Sequence, residues 1–242
     1  MKNSIEVINL SKSYKTKKAV HNINFKINEN EIVGLLGPNG CGKTTTIGMI
    51  LGLLKPTSGQ VLINGKNIEN NKISILHKMN FISPYIELPK KLTVKQNLIV
   101  YGKLYNIQNL NERINFLSEK LRLGDLLDKI TGELSSGQKN RVSLAKALIN
   151  DPTVLLLDEP TAALDPETAD FIRTFLEKYK EEKKISVLLA SHNMDEVKRL
   201  CNSVMMMKDG NIVDSGTPEN LIKKYGQKNL EEVFLEIVRN DK

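Results

Sequence analysis

The stretch Gly37-Pro38-Asn39-Gly40-Cys41-Gly42-Lys43-Thr44-Thr45 carries glycine, lysine and hydroxyl residues at the offsets G-x-x-x-x-G-K-[ST]. Glycines let a backbone wrap tightly, so successive N–H groups turn inward and form a concave anion site. A helix starting at the end of such a loop adds the positive end of its dipole to the same point. Lys43 supplies a mobile full charge that can reach the β- and γ-phosphates of a nucleotide. Thr44 offers a hydroxyl to Mg²⁺, which such sites hold mainly through phosphates and water. The plain alternative is a glycine-rich turn that happens to precede a helix. The flanks count against it, because Ile32 to Leu36 reads as a strand and Thr46 to Leu54 as a helix. The pattern implies binding of a nucleoside triphosphate.

Four other places carry groups able to do chemistry. Thr153-Val154-Leu155-Leu156-Leu157 is a continuous apolar run of the buried parallel-strand kind. It delivers Asp158-Glu159 at its C-terminal end, where α/β sheets gather ligand chemistry. Beside a phosphate loop, Asp158 suits Mg²⁺ and Glu159 suits a water. Ile185 to Ala190 is a second such run and ends at Ser191-His192-Asn193. A lone histidine at a strand end is usually structural, but beside strand ends that hold phosphate and acids it becomes a candidate. Leu134-Ser135-Ser136-Gly137-Gln138 opens a helix, and taken alone it is an ordinary capping box with Ser135 as N-cap and Gln138 at N3. Tyr14 lies in the polar stretch Ser11 to Lys18, read as a loop; its ring could stack on a base or cover local apolar surface.

The elements needed to position these groups are legible around them. Ile5 to Leu10 reads as a strand, and His21 to Asn28 alternates Ile23, Phe25 and Ile27 as a half-buried strand should. Gly59 to Gly65 is a strand running into an Asn-Gly turn. Asn80-Phe81-Ile82 is a short strand, followed by a proline-bounded loop from Ser83 to Lys91. Thr93 to Tyr105 reads as a helix, and Leu110, Ile114, Leu117 and Leu121 mark one face of another. Residues 83–150 thus read as a mostly helical insertion. Pro166 or Glu167 to Lys183 is a helix, and an amphipathic helix carrying Val197 and Leu200 follows the histidine. A hairpin crosses Lys208-Asp209-Gly210, and Leu230, Val233, Phe234, Ile237 and Val238 line one face of a terminal helix.

Bulk properties narrow the class. With 242 residues, 40% of them hydrophobic, the chain can bury a sizeable core. No run approaches the roughly 18 apolar residues needed to cross a bilayer. The N-terminus has an early acid and no apolar signal core, and two cysteines make neither a disulfide framework nor a metal cluster, so a reducing cytosol is expected. The balance of 35 basic against 28 acidic residues gives +7. The lysines are scattered in ones and twos without an aromatic platform, which favours a solvated surface over an anionic membrane surface, and both over nucleic acid.

With these motifs in order, and with Ala163-Leu164-Asp165 after the acid pair, the whole chain resembles an ABC-transporter ATP-binding subunit. The phosphate loop is shared by many NTPases, whereas Leu-Ser-x-Gly-Gln with its serine 23 residues before an Asp-Glu pair marks this family. The resemblance implies an α/β fold: a P-loop NTPase (RecA-like) core, an N-terminal antiparallel β subdomain and a helical signature-motif subdomain. It divides the single domain 1–242 into a β subdomain plus phosphate-loop core (1–82), a helical subdomain (83–150), the core with the acid pair and His loop (151–225), and a short C-terminal helix (226–242). It implies ATP and Mg²⁺ as ligands. Tyr14 would stack on adenine, and Val20 would join the nucleotide set with Gly37, Pro38, Asn39, Gly40, Cys41, Gly42, Lys43, Thr44 and Thr45. Thr44 and Asp158 would hold the metal, Glu159 would polarise the attacking water, and His192 would contact the γ-phosphate. Ser135, Gly137 and Gln138 would reach the nucleotide of a second subunit paired head to tail, in a homodimer or pseudo-dimer.

The same resemblance implies a separate membrane permease as partner, no nucleic acid, and a place on the cytoplasmic face of the cell membrane. Leu230-Glu231-Glu232-Val233-Phe234-Leu235 is similar to the tail of bacterial subunits serving ABC-2-type exporters. The competing class is a soluble ATPase acting on ribosomes or DNA, which would bring two nucleotide modules or a long coiled-coil insertion, and the sequence has neither.

Two positions depart from the family pattern. Ser136 replaces a glycine in the signature, and Pro84 stands where a Mg²⁺-contacting glutamine is usual, eight residues before Leu92-Thr93-Val94. Ser83 has a side chain about 2 Å shorter than glutamine's, and preceding a proline holds it extended. Mg²⁺ is therefore expected to keep a water there, with Tyr85, Ile86 and Leu88 as an apolar docking cluster for the permease. Cys41, beside a helix N-terminus and Lys43, is either a thiol of lowered pKa that reacts with alkylating agents and is protected by ATP, or an inert small residue where the loop tolerates almost any side chain.

Overall fold

The computed structural model describes residues 2–15, 17–84 and 86–239. Its smaller sheet is wholly antiparallel, in the order β2-β1-β4-β5, from β1 Asn3–Tyr14, β2 Lys17–Asn28, β4 Ser58–Ile63 and β5 Lys66–Asn67. The larger sheet has the order β10-β9-β3-β8-β7-β6. Its strands are β3 Ile32–Leu36, β6 Met79–Ile82, β7 Val154–Asp158, β8 Ser186–Ala190, β9 Ser203–Lys208 and β10 Asn211–Gly216. All pair in parallel except β10, which closes a hairpin on β9.

Parallel strands buried on both faces read as unbroken apolar runs, and their period of two divides the side chains between two cores. Val33, Leu35, Val154, Leu156 and Leu188 face the antiparallel sheet and pack with Ile5, Val7 and Ile47. Leu36, Leu155, Leu157, Val187 and Leu189 face the other way, onto the helices. Register then does the positioning. Leu35 pairs with Ala190, and Ala190 with Asp158. The segments leaving β3, β8 and β7 therefore emerge side by side, at strand spacings of roughly 4.8 Å.

The helices are α1 Lys43–Ile50, α2 Lys72–Leu76, α3 Val94–Leu104, α4 Leu110–Lys120, α5 Ser136–Leu148, α6 Pro166–Lys183, α7 Met194–Leu200, α8 Pro218–Tyr225 and α9 Leu230–Arg239. The helical insertion is not a separate body: Leu98, Ile114, Leu117 and Val142 share one core with Leu155 and Leu189. Arg113 of α4 donates to the carbonyls of Leu148 and Ile149 at the end of α5 and to the Tyr179 hydroxyl of α6. A cation at a helix C-terminus satisfies carbonyls that the helix leaves open. No helix among the described residues is long and apolar enough to cross a membrane.

Three expectations need correction, and one helix had none. The polar stretch Ser11 to Lys18 is not a loop, because β1 runs to Tyr14 and β2 resumes at Lys17. The helix expected over Thr46 to Leu54 is α1, which starts at Lys43 and stops at Ile50. The short helix α2 lacks the length that a periodicity argument needs and went unread. Leu88 is not part of an exposed docking cluster: it is 8% exposed and belongs to the helical core, while Ile86 remains exposed. Tyr85 lies outside the described residues.

Candidate functional site

The phosphate loop joins β3 to α1. A Cβ on Gly37 would fall 2.2 Å from the Met207 carbonyl oxygen, and one on Gly42 would fall 2.6 Å from that of Ala19. Gly42 also sits at φ 112°, so both positions require glycine. The Cys41 amide donates to Pro38 O at 3.2 Å, and its carbonyl accepts from the Gly210 amide at 2.9 Å, so the β9–β10 turn braces the loop. Helix α1 begins at once, Thr46 N bonding Gly42 O at 2.9 Å. No side chain caps it and no acid lies in its first turn, so its first amides face an incoming anion unopposed. The Lys43 ammonium donates to Gly37 O at 2.6 Å and Pro38 O at 3.2 Å.

Cys41 is buried under the loop, and burial pushes its thiol pKa up, outweighing the pull of Lys43 in the other direction. The reactive-thiolate reading is thus corrected: desolvation of the charged form exceeds the stabilisation by the neighbouring cation.

Asp158 ends β7, 6% exposed, and accepts a hydrogen bond from the Ser83 hydroxyl at 3.3 Å. Burial pushes its carboxyl pKa up, opposed by Ser83 and then Lys43. Ser83, too short by the sequence argument to matter, thus stands beside Asp158. Glu159 follows at φ 51°, a left-handed conformation uncommon outside glycine, with its amide donating to Ala190 O at 2.8 Å. This turn presents the carboxylate to the His192 segment. Oε2 accepts from the His192 amide at 3.3 Å, and Oε1 lies 3.3 Å from His192 Nε2. That second approach lacks hydrogen-bond geometry, so Oε1 is buried without a hydrogen-bond partner. Burial also raises the Glu159 carboxyl pKa, opposed chiefly by His192.

These groups line one cleft of about 310 Å³, walled by Tyr14, Ala19, Asn39, Gly40, Gly42, Lys43, Thr44, Thr45, Asp158, Glu159 and His192. Tyr14 is 45% exposed at its rim. Val20 is wholly buried in the core beneath and lines none of the cleft; Ala19 takes that wall. A buried and a half-buried carboxyl, both with raised pKa, and an orphaned carboxylate oxygen, beside an uncapped helix start, form a donor set that fits a cation bound with phosphates.

The signature residues are elsewhere. Ser135 caps α5, its hydroxyl accepting from the Gln138 amide at 3.3 Å while Gln138 Oε1 accepts from the Ser135 amide at 3.0 Å. Ser135 is exposed, and neither it nor Gly137 nor Gln138 lines the cleft. Asn140, one turn along, donates to Pro160 O at 2.6 Å and ties α5 to the residue after Glu159.

A family model described as ABC transporter matches residues 20–162. The choline transport ATP-binding protein OpuBA of Bacillus subtilis is 35% identical over 229 residues, covering 93% of this chain. The chain spans 60% of that relative's length. The bacitracin transport ATP-binding protein BcrA of Bacillus licheniformis is 36% identical over 234 residues, covering 96% of this chain and 75% of its own. Among solved structures, the ATP-binding subunit of an ABC transporter superposes with TM-score 0.88 at 26% identity, over 96% of this chain and 98% of that one. A dimeric ATP-binding cassette in a post-hydrolysis state, bound to ADP and Pi, superposes with TM-score 0.80 at 27% identity, over 88% and 98%.

Proposed function

The chain belongs to the ABC transporter family, and on that footing we propose that it is the ATP-hydrolysing subunit powering a membrane permease carried by a separate chain. The observation that carries the reading is the convergence of the phosphate loop, Asp158-Glu159 and His192 on one cleft, with Ser135 exposed and Gly137 half-buried outside it. The α1 amides, Lys43 and Thr45 bind the phosphates of ATP, and Tyr14 takes the base at the rim. Glu159 accepts a proton from a water whose oxygen bonds to the γ-phosphorus as the bond to the β–γ bridging oxygen breaks, leaving ADP and phosphate. His192, held at Glu159, orients toward the γ-phosphate. Thr44 and Asp158 would hold Mg²⁺, whose charge would offset that of the phosphates.

A cleft without its signature residues is completed by a second copy set head to tail. Ser135 and Gly137 then offer a helix N-terminus to the partner's nucleotide, so that ATP holds the dimer together and hydrolysis releases it. The loop Ser83 to Lys91 and the helical insertion pass that closure to the permease at the cytoplasmic face of the membrane. The lean toward export rests on the segment Leu230 to Leu235.

The test is Glu159→Gln. It keeps a side chain of the same shape and loses the base, so hydrolysis should fall about 10²–10⁴-fold while ATP binding remains. The variant should accumulate as an ATP-dependent dimer by light scattering. A monomer with ATP and an unchanged rate would overturn both the base and the dimer.

A further inference from the structure

Among the described residues the most deeply buried carboxylate is not in the cleft. Glu196, in α7 four residues after His192, has no exposed surface, and Arg173 acts on it only through space, with no ion pair to it among the described residues. An ionisable group persists in such a place only where hydrogen bonds offset its lost hydration. Both of its oxygens are used. Thr161 Oγ1 donates to Oε1 at 2.8 Å, and Ser191 Oγ donates to Oε2 at 2.5 Å. Thr161 is 8% exposed and Ser191 1%, so water does not compete at either bond.

The placement of the two donors gives the arrangement its meaning. Thr161 stands two residues after Glu159, and Ser191 immediately precedes His192. Ser191 Oγ also accepts from the Asn193 amide at 3.1 Å, and Asn193 Oδ1 caps α7 by accepting from the Glu196 amide at 3.0 Å. On the cleft side the same two segments meet again, through the His192 amide and Glu159 Oε2. Glu159 at φ 51° and Ala163 at φ 57° hold a strained turn, which lasts only where the surroundings over-determine it.

We infer that Glu196 is a positioning residue for hydrolysis, clamping the segment that carries Glu159 to the segment that carries His192 through the Thr161 and Ser191 hydroxyls. A carboxylate accepts both bonds at a fixed separation, so the clamp sets the distance between the two segments from behind, where no substrate reaches. The inference rests on the roles proposed above for Glu159 and His192.

Kinetics on the full chain decide it. Glu196→Gln keeps the shape but turns one acceptor into a donor, so only one of the two hydroxyls can still donate to it. In Glu196→Gln and in Thr161→Val, kcat should fall about ten- to a hundred-fold, the cost of a misplaced reacting group. KM for ATP should stay within about two-fold, because the phosphate loop is untouched. Thr161→Ser, which keeps the donor, should recover most of the rate. The double variant Thr161→Val/Glu196→Gln should lose no more than the worse single one, since both act on the same clamp. An unchanged kcat in Glu196→Gln, or losses that multiply in the double variant, overturns the clamp. Should Glu196→Gln fail to fold, the contrast between Thr161→Val and Thr161→Ser decides alone. Glu159→Gln is measured beside them: if it alone loses activity, the clamp fails and the site stands, and if it keeps activity, the site assignment falls and the clamp with it.

Discussion

Cys41 shows how far a residue's chemistry depends on what covers it. Its neighbours in the chain, a helix start and a lysine, both favour the thiolate, yet the thiol is buried and its pKa is pushed up. Cys201 is likewise buried, with its pKa raised by burial and then by Glu196. Only thiolate alkylates, so both cysteines should label far more slowly in the native protein than in urea. Adding ATP should change the Cys41 rate little. Mass spectrometry of iodoacetamide-treated protein checks this; rapid native labelling of Cys41 that ATP blocks would restore the reactive-thiol reading.

At the scale of the element, α5 can be asked whether Ser135 does more than start a helix. Its capping box is formed, so Ser135→Ala should cost about 1 kcal/mol of stability. Aspartate is as good a cap as serine and adds a favourable charge to the helix start. Ser135→Asp should therefore melt near the wild-type temperature. If the same position faces a partner's nucleotide, however, the added carboxylate meets phosphate charge, and two unit charges at 4 Å near a surface interact by about 4 kcal/mol. That repulsion exceeds anything the cap contributes. The expected result is a stable Ser135→Asp protein that no longer dimerises with ATP, read by thermal melts and light scattering on the same samples. An Asp variant that dimerises normally would leave Ser135 with the cap alone.

For the whole molecule, the decisive feature is that Ser135, Gly137 and Gln138 do not line the cleft of their own chain. Two copies related head to tail would build two sites, each from one chain's Lys43 and the other's Ser135. Lys43→Ala and Ser135→Asp should each abolish hydrolysis as the only chain present. Mixed in equal amounts, half of all random encounters are hybrid pairs with one intact site of two, so roughly a quarter of wild-type sites should return. ATPase measured before and after mixing tests this. No recovery, with hybrids demonstrated by tagged co-purification, would count against a shared site.

Local chemistry was readable from the chain because it is written in neighbours. The phosphate loop, the Ser135–Gln138 box, and the apolar runs ending at Asp158 and Ala190 need only backbone geometry and short spacings. The α/β class came with the family resemblance that these motifs carry. What only tertiary structure decided are effects carried by residues far apart in sequence. The Ser83 hydroxyl reaches Asp158 across 75 positions, and Thr161 reaches Glu196 across 35. The local pattern alone puts Leu88 in a docking cluster and leaves Cys41 a candidate reactive thiol, because burial is set by packing partners that no local pattern names. A motif specifies which groups are delivered to a place. The fold specifies how dry that place is and what holds the groups there, and those two conditions set their pKa values and their aim.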